Sequence, residues 1–361
     1  MAERKKHHWL SRLSFGSVSL ALAVLLMLSY LSMVIDPAKA WFFTLFGLLY
    51  PLLLPLCCIL FIWSLFRRSR MRGVLLVALL PSLFIAGRYY QSRGPETQAG
   101  GDLKVISYNV GLFAHGSGDK QEDRLVLADS VCAYLRKADA DIICLQEFYL
   151  PSSVPFEEYL HRQFPGYQLE YYVLTGKSGH AGNVTLSRRP VTARGKDVFE
   201  KSTNQALWTD IRLDQASLRV YNCHFESYNI SLPALLKGFR DEALMEETGI
   251  KMRRSIKERP GQVAEVLREM DSAPVRSVVL GDFNDNPLSY TYFRLIRGRK
   301  DSFVQAGKGF GATYRSFWPL LRIDYVLYPP ELEAVSYQVP RVRYSDHYPV
   351  IATYHESGRN L

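Results

Sequence analysis

Residues 278–287 read Val-Val-Leu-Gly-Asp-Phe-Asn-Asp-Asn-Pro, a β-branched and apolar run that ends abruptly in a polar turn. A short apolar run followed by a Gly turn is typical of a buried strand. Asp282 and Asn284 lie at its carboxyl end, and residues two positions apart on an extended backbone face the same way. We therefore expect a carboxylate and an amide to point together beyond a sheet edge. The simpler alternative is an Asx turn in which both side chains only satisfy loop amides.

The same combination of an apolar strand and a polar residue at its end recurs along the chain. Period-two and apolar patterns predict strands at 104–110, 141–147, 167–174, 180–187, 207–213, 218–224, 278–281, 322–328, 333–340 and 350–354. Six polar elements mark strand ends: Asn109, Glu147, His224, Asp282 with Asn284, Asp324, and Asp346 with His347. This recurrence favours one shared site over a set of unrelated turns.

The order of the predicted elements indicates a layered α/β domain over residues 103–356. Helical spacing predicts helices at 121–138, 261–270 and 289–297, and residues 229–260 form a polar, charge-dense connection. Strands outnumber helices, and several pairs are joined as hairpins, with Gly179 and Gly182 expected in one turn. These features predict mixed or antiparallel sheets rather than a pure doubly wound sheet.

The positive charge of the chain is confined to its first part. The formal net charge is +9, and residues 1–94 contain 11 of the 44 Lys and Arg residues but only two of the 35 acidic residues. Residues 95–361 are therefore neutral overall, with 33 basic and 33 acidic residues. A neutral domain argues against strong non-specific binding to duplex DNA, which needs clustered Lys and Arg.

Three apolar segments precede the domain, at about 14–35, 40–66 and 73–90. The first two carry no charge and are long enough to cross a hydrocarbon core of about 30 Å. The third segment is shorter, and it crosses the membrane only if the Arg88 side chain extends to the interface between membrane and water. A cleaved signal peptide, or two spans with a re-entrant third segment, are the alternatives. Residues 91–102 are rich in Gly and polar residues and indicate a linker.

The basic residues of the loops predict how the segments are oriented. Four Lys or Arg residues precede the first segment and four Arg lie at 67–72, whereas the 36–40 turn has only Lys39. The positive-inside rule then places the N-terminus in the cytoplasm. With three spans, the domain of residues 103–356 lies on the outer side of the cell inner membrane. If the third segment does not cross, the domain is cytoplasmic.

The residue types at the strand ends indicate metal-assisted cleavage of a phosphoester. Carboxylate and amide oxygens without thiolates suit a hard cation such as Mg²⁺ or Mn²⁺. Histidines beside carboxylates suit contacts to a phosphate or proton transfer. Each residue also has an ordinary structural alternative, such as a helix cap for Glu147, a core histidine for His224 and a turn for Asn109.

The segments resemble the endonuclease/exonuclease/phosphatase superfamily, which includes deoxyribonucleases, apurinic-site endonucleases, inositol polyphosphate 5-phosphatases and neutral sphingomyelinases. The matching segments occur in family order: Ser107-Tyr108-Asn109, Leu145-Gln146-Glu147, Cys223-His224-Phe225, Gly281-Asp282-Phe283-Asn284, Arg322-Ile323-Asp324-Tyr325 and Ser345-Asp346-His347-Tyr348-Pro349. The resemblance implies a four-layer α/β sandwich, two packed mixed sheets flanked by helices, with the site at one end of the sheets.

The resemblance also implies roles for individual residues. Glu147 is the expected principal metal ligand, with Asn109 and Asp346 assisting directly or through water. Asp282 orients or deprotonates the attacking water, and Asn284 and His224 bind the phosphoryl group. Asp324 pairs with His347, which stabilises the transition state or assists the leaving group.

The expected function is that of an integral membrane phosphoesterase acting on a phosphodiester or phosphomonoester. A lipid head group, a small phosphoester or a nucleic acid are the candidate substrates, and no protein partner is evident from the sequence. Basic patches at Arg188-Arg189 and Lys251–Arg259 keep an extracytoplasmic DNA or RNA nuclease open as an alternative. A catalytically silent, membrane-anchored binding module is the second alternative, and the intact set of polar residues argues against it.

Overall fold

A computed structural model describes residues 2–92, 94, 100–115, 120–200, 202–213, 216–228, 241–272 and 275–356, with only the backbone described for 2–13. Within these ranges the helices are α1 (Ala2–Leu31), α2 (Phe42–Phe66), α3 (Met71–Leu79), α4 (Gln121–Ala138), α5 (Phe156–Gln163), α6 (Glu242–Ser272), α7 (Tyr290–Leu295) and α8 (Ser302–Ala306). Short 3₁₀ turns lie at Leu80–Phe84, Ala86–Arg88, Gly111–Phe113 and Arg315–Phe317.

The strands form two six-stranded sheets and one two-stranded ribbon. In chain order they are β1 (Tyr90–Gln91), β2 (Leu103–Asn109), β3 (Ile142–Pro151), β4 (Gln168–Thr175), β5 (Gly179–Ser187), β6 (Val191–Val198), β7 (Gln205–Arg212), β8 (Ser217–His224), β9 (Ser277–Asp282), β10 (Lys300–Asp301), β11 (Gly309–Phe310), β12 (Asp324–Tyr328), β13 (Leu332–Gln338) and β14 (Val350–Glu356). The first sheet has the order β13-β14-β2-β3-β5-β4, the second has the order β10-β12-β9-β8-β7-β6, and β1 pairs with β11.

Both large sheets are mixed, as predicted. β2 and β3 run parallel because α4 connects them, and β8 and β9 run parallel because α6 connects them. The neighbouring pairs, such as β9 with β12 and β3 with β5, are antiparallel. The site therefore lies where the carboxyl ends of two parallel pairs meet.

Three apolar cores stack through the domain and confirm the four-layer sandwich. Val105, Val278 and Leu280 belong to the core between the two sheets. α4 and α5 cover the outer face of the first sheet, and α6 and α7 cover the outer face of the second. Val279 of β9 points to that outer core, so β9 is buried on both faces. This double burial explains its continuous apolar run.

Several boundaries differ from the sequence predictions. α6 begins at Glu242, so the second part of the predicted 229–260 connection is helix, and residues 229–240 lie outside the described residues. Gly182 lies inside β5, opposite Val173, rather than in a turn. Strand β6 was not predicted, because its residues are mostly exposed and lack an apolar pattern.

Among the described residues, α1 and α2 contain two stretches long and apolar enough to cross a membrane, Ser14–Leu31 and Phe42–Phe66. The third predicted span forms the shorter helix α3 and the two 3₁₀ turns that follow it. Gln91, placed in the linker by the sequence, pairs with Gly309 in the ribbon. Residues 93 and 95–99 of that linker lie outside the described residues.

Candidate active site

Strand register brings three of the predicted site residues side by side on the second sheet. His224 at the end of β8 and Asp324 at the start of β12 are both paired with Asp282 at the end of β9. The side chains of Asp282 and Asp324 are each 1% exposed. Two buried carboxylates and a histidine therefore share one sheet edge.

Asn109 connects the two sheets at this edge. It ends β2 in the first sheet, and its Nδ2 donates to Asp282 Oδ2 at 2.9 Å and to Glu147 Oε1 at 3.1 Å. Its Oδ1 accepts from the backbone N of Gly111 at 3.0 Å. In this orientation the amide nitrogen, rather than the oxygen, faces both carboxylates.

Glu147 reaches the site because the backbone departs from regular strand geometry. A register shift interrupts the pairing of β3 with β5 between Leu145 and Phe148, and Glu147 lies inside it with φ of 52°. A bulge of this kind re-aims a side chain, and a non-Gly residue in the left-handed region is unfavourable. Local strain thus turns the carboxylate towards Asn109 and away from the regular strand face.

Asn284 shows the same left-handed conformation, with φ of 50°. Its backbone N donates to Asp282 Oδ1 at 2.9 Å, which is the Asx turn anticipated from the sequence. Its Nδ2 donates to the Phe225 carbonyl at 2.9 Å and to Asp282 Oδ2 at 3.2 Å. The Asx turn and the shared site are therefore both present, because the bonds of the turn also fix the Asp282 carboxylate.

Asp324 and His347 form the pair predicted for them. His347 Nδ1 lies 3.0 Å from Asp324 Oδ2, and its Nε2 lies 3.8 Å from Asp282 Oδ2. The backbone N of Asp324 donates to Thr313 Oγ1 at 3.1 Å, and the Tyr314 ring contacts the His347 ring edge-on at a centroid distance of 5.1 Å. The imidazole is therefore held on two sides with its Nε2 directed at Asp282.

Burial and charge shift the protonation of this group. Burial raises the pKa of Asp282, the His347 charge lowers it, Asp324 raises it, and the result lies above its ordinary value. Burial lowers the pKa of His347, but the carboxylates of Asp324 and Asp282 outweigh that effect and hold it well above its ordinary value. Burial thus makes Asp282 a stronger base than a solvent-exposed aspartate, and the two carboxylates favour the protonated form of His347.

The donor set fits a hard divalent cation. Glu147, Asp282 and Asp324 supply three carboxylates, and ligand atoms of Asp282, Asp324 and His347 all lie within 4.8 Å of one another. Among the described residues His224 Nε2 has no hydrogen-bond partner, and it lies 3.4 Å from Glu147 Oε1 and 3.9 Å from Asp282 Oδ2. An excess of carboxylate and an imidazole nitrogen that makes no hydrogen bond are expected where an ion and a phosphoryl group bind.

The three residues whose ligand atoms cluster in the structure are Asp282, Asp324 and His347. They differ from the metal ligands predicted from the sequence, which were Glu147, Asn109 and Asp346. In the structure Asp324 and His347 already satisfy each other, which leaves fewer of their lone pairs for an ion. Asp346 lies beside the network, where its Oδ1 accepts from Ser345 Oγ at 3.2 Å. Its Oδ1 would also be 3.2 Å from a Cβ placed at Gly111, next to Asn109.

Sequence reasoning missed a buried polar network beneath the site. Gln146 Nε2 donates to Asn222 Oδ1 at 2.7 Å, and Asn222 Nδ2 donates to the Val184 carbonyl at 3.0 Å. These bonds join the two sheets directly under Glu147 and His224. Asn222 lies two residues before His224 and so faces the same way, a relation visible in the sequence. Asn183, the neighbour of Val184 on β5, is also buried.

The comparisons with known proteins agree with this geometry. The model of the endonuclease/exonuclease/phosphatase family matches residues 106–347. A second family model, a domain of unknown function (DUF8431), matches residues 11–89. No curated protein matches the sequence.

Solved structures share the fold at low sequence identity. An endonuclease/exonuclease/phosphatase from Beutenbergia cavernae is 20% identical with a TM-score of 0.52, and the match covers 72% of each chain. A functionally unknown protein from Enterococcus faecalis is 16% identical with a TM-score of 0.52, covering 70% of this chain and all of that one. A family protein from Bacteroides vulgatus is 16% identical with a TM-score of 0.51, covering 70% of this chain and 98% of that one.

The family match and the site lead to the same assignment. The matched range contains every predicted site residue from Asn109 to His347, in the order of the fold. It spans 242 of the 361 residues. The chain therefore belongs to the endonuclease/exonuclease/phosphatase family, and it is a hydrolase of phosphoester bonds.

Proposed function

We propose that the chain is a membrane-anchored, divalent-metal-dependent phosphoesterase that cleaves a phosphodiester or phosphomonoester by attack of water. The observation that supports it best is the Asn109 amide, which joins the Glu147 and Asp282 carboxylates across the two sheets. Such a group combines an ion-binding carboxylate with a buried base in one site.

Glu147, assisted by Asn109 and Asp346, would hold Mg²⁺ or Mn²⁺. The bound ion supplies neutralisation of the charge that develops on the phosphoryl oxygens. Glu147 is suited to this role because its side chain is 31% exposed and remains accessible from the mouth of the site. Asn109 bridges Glu147 and Asp282 by donating to both, which offsets the repulsion between the two carboxylates.

The remaining residues act on the water and the phosphoryl group. Asp282 accepts the proton of the attacking water or orients it, and the Asn284 backbone N fixes its carboxylate. His224 would donate to one phosphoryl oxygen, and Asn284 Nδ2 would transfer to another the hydrogen that it donates to Asp282 Oδ2 at 3.2 Å. His347, held by Asp324, stabilises the charge of the transition state or protonates the leaving oxygen.

The exposure of the N-terminal helices supports membrane anchoring. Only 28% of the apolar stretch in α1 and 22% of that in α2 are buried in the structure. A core helix of a soluble protein would be mostly buried. Leu20 and Val24 of α1 and Ile59 and Ile62 of α2 are each about half exposed. An apolar surface of this extent is stable in lipid and costly in water.

The arrangement of the helices supports the predicted orientation in the cell inner membrane. The end of α1 and the start of α2 contact the catalytic domain, through Ser32 and Gly47. Arg67 lies at the opposite end, with its guanidinium 5.4 Å from the centre of the Phe15 ring. If the helices span, the arginine-rich 67–72 linker and the catalytic domain lie on opposite sides. The positive-inside rule then places the domain outside the cytoplasm.

A phosphoester close to the bilayer, such as a lipid head group, is the substrate class we favour. The domain formed by residues 95–361 carries no net charge, which argues against a non-specific nuclease. A nuclease acting outside the cytoplasm is the second candidate, and Arg188-Arg189 is one basic patch available to it. Arg188 is already paired with Asp139 at 2.5 Å, which weakens that candidate.

The test is a substrate panel assayed on the full chain in detergent or nanodiscs with Mg²⁺. It contains duplex DNA, an apurinic-site duplex, vesicles of sphingomyelin or phosphatidylinositol phosphates, and a chromogenic phosphodiester, each compared with His347→Ala. Lipid turnover that the variant loses supports the proposal. DNA cleavage alone favours the nuclease, and no hydrolysis of any substrate favours the silent module.

A further inference from the structure

The loop that follows β9 is fixed by the N-terminal helices as well as by the catalytic domain. Asn286 Nδ2 donates to the Gly47 carbonyl of α2 at 2.8 Å, and Ser32 Oγ donates to the Leu288 carbonyl. Leu288 is fully buried in an apolar cluster whose other buried members come from α1, α2 and the segment around α3. This loop begins at Phe283, directly after Asp282, and contains Asn284, so a shift of the loop would move both residues.

The loop on the other side of the site is attached to the same helical segment. Tyr90 and Gln91 pair with Phe310 and Gly309, and the Gly311 N donates to the Tyr89 carbonyl at 3.2 Å. Two residues later, Thr313 Oγ1 accepts from the backbone N of Asp324. The next residue, Tyr314, packs against His347. The segment thus holds the elements that fix both Asp282 and the Asp324–His347 pair.

We infer that the N-terminal helical segment is a positioning element of the active site, through Gly47 and Ser32 on one loop and Tyr89 on the other. It does not contact the reacting atoms. It sets the separation of two loops, and a displacement of about 1 Å can cost about a hundredfold in rate. This inference rests on the phosphoesterase assignment and not on the membrane or on a particular substrate.

The catalytic domain also anchors the first loop by itself, and this gives the competing explanation. Asp285 pairs with Arg259 at 3.1 Å and accepts from Tyr228 OH at 3.2 Å. Its carbonyl accepts from Tyr325 OH at 2.8 Å. If these bonds are sufficient to hold the loop in place, a displacement of α2 will leave the geometry of the active site unchanged.

Gly47→Ala, a substitution in α2, tests whether the helices or the bonds of the catalytic domain position the loop. A Cβ at Gly47 would lie 2.4 Å from Ser32 Oγ and 3.2 Å from the Leu288 carbonyl, so it must displace the loop or the helix. Gly73→Ala in α3 is the matched control, since its Cβ has no neighbour within 4 Å among the described residues. Leu288→Ala is a second variant that loosens the same contact from the loop side without crowding it.

The measurements are kcat and KM of the full chain on the chromogenic phosphodiester, together with hydrogen exchange of residues 283–290. We expect kcat of Gly47→Ala and Leu288→Ala to fall by about tenfold or more at nearly unchanged KM, with faster exchange in 283–290 than in Gly73→Ala. If Gly47→Ala does not fold, Leu288→Ala decides. The inference is overturned if kcat stays within about twofold of Gly73→Ala, or falls only in proportion to folded protein. If the wild type hydrolyses none of the substrates, the phosphoesterase assignment fails, and the hydrogen exchange of residues 283–290 alone tests whether the helices position the loop.

Discussion

Asp324→Asn tests the Asp324–His347 pair with little change of shape. The carboxylate accepts from His347 Nδ1 at 3.0 Å through Oδ2 and lies 3.2 Å away through Oδ1. The backbone N of Asp324, which donates to Thr313, is unaffected, so the register of β12 with β9 is retained. The substitution therefore removes the charge behind the imidazole and leaves the strand in place.

The size of the effect follows from the kind of bond lost. A hydrogen bond to a charged group contributes about 1.5–3 kcal/mol, and both partners are buried here, at 1% and 7% exposure. Because about 1.4 kcal/mol corresponds to tenfold in rate, kcat should fall by about ten- to hundredfold. KM should change little, since the role proposed for Asp324 is to hold His347 and not to contact the substrate.

The assay is steady-state hydrolysis of the chromogenic phosphodiester with Mg²⁺ by Asp324→Asn, His347→Ala and the double variant. Two residues that act as one unit are non-additive, so the double variant should be no slower than His347→Ala. Asp139→Asn is the control, because its side chain is 71% exposed. Additive losses in the double variant, or a kcat of Asp324→Asn within about threefold of the control, would refute the reasoning.

Three further predictions test the ion ligand, the turn and a buried charge. Glu147→Gln should weaken Mg²⁺ and Mn²⁺ binding by about tenfold or more in calorimetry, and an unchanged affinity would remove Glu147 from the ligand role. Gly281→Ala places a Cβ 1.9 Å from the Cys223 carbonyl at φ of 130°, so its free energy of unfolding in urea should fall by more than about 2 kcal/mol; an unchanged value contradicts it. Burial, with Glu269 and Glu265, raises the pKa of Asp197 to about 6. Because the folded pKa exceeds the unfolded one, the destabilisation by Asp197 grows as pH rises from about 4 and is complete above about pH 6, so Asp197→Asn should stabilise the fold by about 1 kcal/mol at pH 8 but not at pH 4. Equal gains at both pH values would exclude the charge as the cause.

The local sequence pattern was sufficient to predict an element wherever buried positions recur regularly along it. β9 is apolar from Val278 to Leu280 because both its faces are covered, and the predicted strand end at 281 lies one residue from the observed end at Asp282. The first half of α6 was missed for the opposite reason. Its residues are mostly exposed and charged, and the buried Arg259 is stabilised by Asp285, a residue 26 positions away, rather than by an apolar face.

The sequence identified candidate residues of the site but did not predict which of their atoms are in contact. The polar residues at the strand ends were identified individually, and their order along the chain indicated the family. Which atoms meet was decided by sheet packing, since the Asn109–Asp282 bond joins residues 173 positions apart on different sheets. The left-handed backbone of Glu147, which turns its carboxylate into the site, has no pattern in the sequence that would announce it.

The sequence by itself determined the class of fold, the polar residues of the site and the two long apolar segments, because these follow from side-chain type and periodicity. Only the tertiary structure decided that the N-terminal helices contact the loop after Asp282. That contact depends on a buried amide, Asn286, meeting a helix carbonyl at Gly47. A single hydrogen bond between residues 239 positions apart is specified by the packing of whole segments, and no local pattern encodes it.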